Sequence, residues 1–138
     1  MPSVQINAET LNAATGESAS LFNPFSPNLR LSITYTLSPD FAAMANVTVE
    51  VVFQLINFHT NQVFFHNPGQ HPVPAGGTLG GSFYDINPSN TAGMQWTTGA
   101  DIFGFRGAVA VLESNGINVD AIAVSDIRWF RLEDVATL

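Results

Sequence analysis

The chain has 138 residues and a net charge of −7, set by eleven acidic residues against four arginines and no lysine. That length fits one domain, and 46% hydrophobic residues suffice for a buried core, which excludes a disordered chain. Acidity without a basic cluster argues against nucleic acid and anionic membranes, and the absence of cysteine excludes disulfides, thiolate catalysis and cysteine-ligated metal.

The first six residues, Met1 to Ile6, lack the basic and apolar segments of a secretory signal, and no apolar run reaches the ~18 residues of a membrane span. The expected setting is therefore cytoplasmic, virion-associated, or extracellular after removal of a leader. Residues 4–11 alternate weakly and predict a first strand, and residues 12–28 are polar and proline-containing. Residues 1–28 thus read as an N-terminal strand plus linker arm on one sandwich domain covering 1–138.

Leu29, Leu31, Ile33, Tyr35 and Leu37 alternate with Arg30, Ser32, Thr34 and Thr36, the pattern of a strand with one wet face. Residues 39–45 follow Ser38-Pro39 and carry the only helical signal, about one turn. Over 47–57, Val47, Val49, Val51, Phe53 and Leu55 share one face. The other face (Thr48, Glu50, Val52, Gln54, Ile56) turns apolar in places, which predicts a central strand partly covered on both sides. Residues 62–66 read as its return strand, and 67–77 as a proline- and glycine-dense loop. Residues 78–86 form a strand in which Gly80 and Gly81 mark a bulge or a close backbone approach.

A loop over 87–100 carries Met94 and Trp96. Residues 102–113 then alternate, with Phe103, Phe105, Gly107, Val109 and Val111 on one face. Asn115-Gly116 is a type I′ hairpin turn, 117–124 its return strand, Ser125-Asp126 a bend or bulge, and 127–132 the last strand. Seven to eight strands and at most one short helix predict an all-β, antiparallel two-sheet sandwich. Its connection order is immunoglobulin-like or, alternatively, that of a jelly roll, because patterning does not separate the two.

Candidate chemistry is sparse. His59, His66 and His71 share one stretch but match no metal-ligand spacing, and are expected in solvent. Asn118, Asp120 and Asp126 form no calcium loop, and Gly80-Gly81-Ser82 lacks the frame of a nucleophile elbow. The expectation is no catalysis, no metal and no cofactor, with a small hydrolase or metal enzyme as the third reading. Most of the eleven phenylalanines, and Trp129, are assigned to the core. Trp96 and Tyr84 are the rings assigned to stack on a sugar, and they carry the alternative reading, a carbohydrate-binding sandwich. Each arginine is expected to meet a carboxylate within or between subunits, and Arg128 or Arg131 to approach the core or an interface, since they lie on opposite faces of one strand.

Outward strand positions read as Thr, Ser, Asn, Gln and Ala, which are cheap to desolvate, and edge strands lack the protection that lysine gives. The leading expectation is a non-catalytic structural or interaction module that self-assembles, as a fibre, shell or virion subunit does. It forms a homo-oligomer, without nucleic acid or membrane insertion, and a glycan partner belongs to the alternative. Val4, Ile6 and Ala8 are the residues expected at an intersubunit contact. The linker behind them allows the strand to pair with its own sheet or a neighbour's.

Overall fold

Alternation fixes the strands, and the strands build two facing sheets. The computed structural model describes residues 4–22, 28–38, 47–58, 61–72, 79–86, 101–113 and 118–132. They form β1 (Val4–Asn12), β2 (Leu21–Phe22), β3 (Leu29–Leu37), β4 (Thr48–Asn57), β5 (Val63–His66), β6 (Gln70–Pro72), β7 (Leu79–Ile86), β8 (Asp101–Glu113), β9 (Asn118–Val124) and β10 (Arg128–Leu132). The fold is all-β, with no helix among the described residues and hence none there long and apolar enough to cross a membrane. The expected helical turn at 39–45, the Asn115-Gly116 turn and the loop at 87–100 lie outside the described residues.

The smaller sheet has the order β1-β3-β7, all antiparallel. The larger one runs β2-β10-β8-β4-β5, with β6 on β4 and β9 on β8, and only β2 against β10 is parallel. Among the described residues ten strands replace the seven or eight expected, because β2 and β6, two and three residues long, are too short to show a period. β9 and β10 share one edge of β8: β9 pairs with residues 108–113 and β10 with residues 101–105. Between them Ser125 pins the chain. Its N–H donates to the Gly107 carbonyl (2.9 Å) and its hydroxyl accepts from the Gly107 N–H (2.9 Å), so the bend expected at Ser125-Asp126 is held by hydrogen bonds. β5 and β6 share the far edge of β4 in the same way, separated by Asn67-Pro68-Gly69, where Gly69 has φ 99°.

Residues from both sheets meet in one apolar cluster. Leu29, Leu31 and Ile33 of β3 face Val49, Val51, Phe53 and Leu55 of β4 and Phe103, Phe105, Val109 and Val111 of β8. Rings run through it: Phe22 packs edge-on against Phe130 (5.9 Å), Phe130 stacks on Phe103 (5.3 Å), and Phe53 stacks on Phe105 (6.0 Å). Two glycines let the layers close. A Cβ on Gly80 would run into the ring of Tyr35, its cross-strand partner, and one on Gly107 would lie 2.6 Å from Ile33 Cδ1. The register of β7 on β3 is continuous, so Gly80 marks the close approach and not the bulge.

The described part of the linker, residues 12–22 and 28, is tied down. Asn12 Oδ1 accepts the Ala14 N–H (2.8 Å), the Ala13 N–H donates to the Asn28 carbonyl (2.7 Å), and the Thr10 hydroxyl donates to the Ala19 carbonyl (2.6 Å). Residues 18–22 thereby carry the chain from the edge of β1 to the edge of β10, where the Arg131 N–H donates to the Ser20 carbonyl (2.8 Å).

Candidate functional site

The two outer faces differ in chemistry. On the smaller sheet Gln5, Asn7, Glu9, Ser32, Thr34 and Thr36 point outward, as the polar reading expects. Arg30 bridges to Asp85 (Nε to Oδ1 2.6 Å) and lies 4.1 Å from the centre of the exposed Phe83 ring. The Asp85 carboxyl is held below its ordinary range by its hydrogen bond to Arg30, and the Arg30 guanidinium is raised by the same bond.

The larger sheet corrects that reading. Its outer face exposes Phe65 (61%), Ile122 (62%), Val124 (54%) and Val63 (49%), with Val52, Ile56 and Ala108 half-buried between them. Cross-strand pairing makes the patch continuous: Val52 opposes Ala108, Ala108 opposes Val124, and Ile56 opposes Val63. A depression of about 160 Å³ lies at its centre, walled by Phe65, Val52, Ala108 and Val124. It is floored by Gln54 and Arg106, whose Nη2 and Nε both donate to Gln54 Oε1 (2.8 and 3.1 Å). Within the chain Arg106 thus meets an amide, and not one of the expected carboxylates.

Trp129 is a second correction. Phe130 and Leu132 take the inward positions of β10, so parity turns Trp129 outward; it is 52% exposed and packs on Phe58 at 4.4 Å between ring centres. Beside it a cleft of about 500 Å³ separates β10 from the edge of β1 and the 18–20 segment. Arg128 spans the two sheets at this edge, its Nε donating to the Ala8 carbonyl (2.7 Å) and Nη2 to Asn7 Oδ1 (3.3 Å). Its partners are a backbone carbonyl and an amide, again not a carboxylate.

At the opposite side of the sandwich, Tyr84 of β7 stacks on His66 of β5 at 3.8 Å and on Phe64 at 6.2 Å, closing the gap between the sheets. Neither ring lies in open solvent: burial lowers the His66 imidazole pKa and raises that of the Tyr84 phenol. His66 is half-buried where solvent was expected, and the Tyr84 ring offered to a sugar is half-buried and stacked on His66. The side chains of His59, His71 and Trp96 lie outside the described set. Among the described residues no three His, Asp or Glu side chains converge.

Val4, Ile6 and Ala8 face inward along β1, opposite Leu37, Tyr35 and Ile33 of β3 in the same chain, and Ala8 is fully buried. What sequence reasoning missed is the apolar outer face of the larger sheet. Its signal was present in the outward pairs Val63 and Phe65 and Ile122 and Val124, each two residues apart, and in Val52 and Ile56, four apart on the same face of β4. Comparison with protein-family models, with curated proteins and with solved structures gives no match.

Proposed function

We propose that this protein is a non-catalytic interaction module that self-associates through the outer face of its larger sheet. The observation that carries the reading is the continuous exposed patch of Val63, Phe65, Ile122 and Val124 around the central depression. Those four side chains expose on the order of 400 Å² of apolar surface, the range in which patches on a monomer mark interaction sites. A standard interface hides about 800 Å² per partner, a little over half of it apolar, so the patch supplies nearly the required apolar area.

A second copy is the favoured occupant on electrostatic grounds. Two chains of net charge −7 repel, yet among the described side chains on this face Glu50 stands with two cations, Arg106 and Arg131, which favours a contact here. Ridges at Phe65 and Val124 beside a depression also give the face both the raised and the recessed relief that a two-fold interface can use. Sedimentation velocity across a concentration series tests the reading with Phe65→Asp and Ile122→Asp. The wild type is expected to associate, and each exposed-site variant to weaken association at least tenfold, about 1.4 kcal/mol. A wild type that stays monomeric, or variants that associate unchanged, would refute it.

A further inference from the structure

We propose that the cleft between β10 and the β1 edge binds a neutral saccharide unit, with the Trp129 indole as its platform. The cleft holds about 500 Å³, within the ~300–1,000 Å³ usual for small-ligand sites. Its wall combines the exposed Trp129 ring with Glu9, Thr10, Ser18, Ser20 and Arg128. This is the complement of a sugar. The electron-rich indole face attracts the slightly positive C–H groups on one side of a pyranose ring, and the ring's hydroxyls need both donors and acceptors around their edge.

The wall supplies both. Glu9 is exposed and its carboxylate accepts, while Arg128 spends two of its five N–H groups on Ala8 and Asn7 and presents the rest. Among the described residues, the hydroxyls of Ser18 and Ser20 and the indole N–H of Trp129 have no protein partner, whereas the Thr10 hydroxyl is committed to Ala19. Charge selects the ligand class. One carboxylate and one guanidinium cancel, so the cleft attracts neither a phosphate nor an amine, and a neutral polyhydroxylated ligand satisfies both groups without leaving a buried charge. The platform is also held in place, because Phe58 packs against the indole at 4.4 Å and limits its rotation. The cleft shares no lining residue with the depression between Phe65 and Val124, although Trp129 lies on the same outer face, so Phe65→Asp, which weakens association and leaves the cleft intact, separates the two readings.

The test is an array of neutral mono- and oligosaccharides probed with the full chain, followed by titration of any glycan bound. The wild type and Phe65→Asp are expected to bind the same neutral glycan. Trp129→Ala should lose at least tenfold in affinity, Glu9→Ala should weaken binding, and Trp129→Phe should keep part of it. Ser18→Arg changes only an exposed side chain and fills the cleft, so it should abolish binding even if Trp129→Ala fails to fold. An array without neutral-glycan binding would overturn the proposal. So would binding that survives Ser18→Arg and Trp129→Ala, or capture of charged glycans alone.

Discussion

His66 and Asp85 set two separate pH responses. An unfolded histidine titrates near 6.5, and burial beside Tyr84 lowers the folded value, so as pH falls the unfolded chain takes up its proton first. Stability therefore rises with pH between the lowered folded value and about 6.5, and is level above that window. Asp85 acts further down: its lowered carboxyl stabilises the fold above the ordinary carboxylate range, and that contribution is lost as pH falls through the folded value. Both groups keep contact with solvent, His66 half-buried and Asp85 exposed, so each effect is small. Between pH 7 and 5 the thermal midpoint of the wild type should fall relative to His66→Phe, which keeps the stacked ring without the titration. Parallel curves would remove His66 from the account. Gly107 gives a steric test at the same scale. Gly107→Ala should cost about 1–3 kcal/mol in urea unfolding, since the added methyl meets Ile33 Cδ1 and Cγ1, and the same substitution should cost less in an Ile33→Ala background, where both atoms are gone. Equal costs in both backgrounds would show that Ile33 is not the obstacle.

Among the elements, β3 matches the alternating run 29–37 at both ends, and β4 and β8 lie within one residue of theirs. Long runs with one wet face have only one register that buries their apolar side, which is why they are legible without a structure. β5 is not, because Val63-Phe64-Phe65-His66 has apolar residues on both faces; packing of Phe64 and His66 against Tyr84 decides the choice and leaves Val63 and Phe65 outside. In β10 the parity was readable, and Trp129 stood opposite Phe130, but the hydrophobicity of tryptophan suggested a core position that parity denies it. β2 takes its place from a parallel pairing with β10, a tertiary contact with no local signature. β1 pairs with β3 along its whole length and buries Ala8, so removing residues 1–20 would uncover Ile33 and Tyr35. The truncated chain should lose cooperative thermal unfolding, read by circular dichroism. A folded monomer from that truncation would instead place Val4, Ile6 and Ala8 at an intersubunit contact.

For the whole molecule, the asymmetry between the two outer faces is the main result. The smaller sheet turns mostly hydroxyl, amide and ion-paired groups to solvent, while the larger sheet turns out branched aliphatic residues and Phe65 around a depression. Sequence pattern registered the low charge of the outward positions but not their division between two sheets, because strand order is set by pairings far apart in the chain. Leu79 and Phe83 supply an internal control, being exposed on the smaller sheet at the far side of the sandwich. Hydroxyl-radical footprinting at low and high protein concentration tests the central claim most directly. Oxidation of Phe65, Ile122 and Val124 should fall as concentration rises, while Phe83 and Leu79 remain equally reactive. Unchanged oxidation of the larger sheet at concentrations where the chain associates, or protection centred on Phe83 and Leu79, would contradict it.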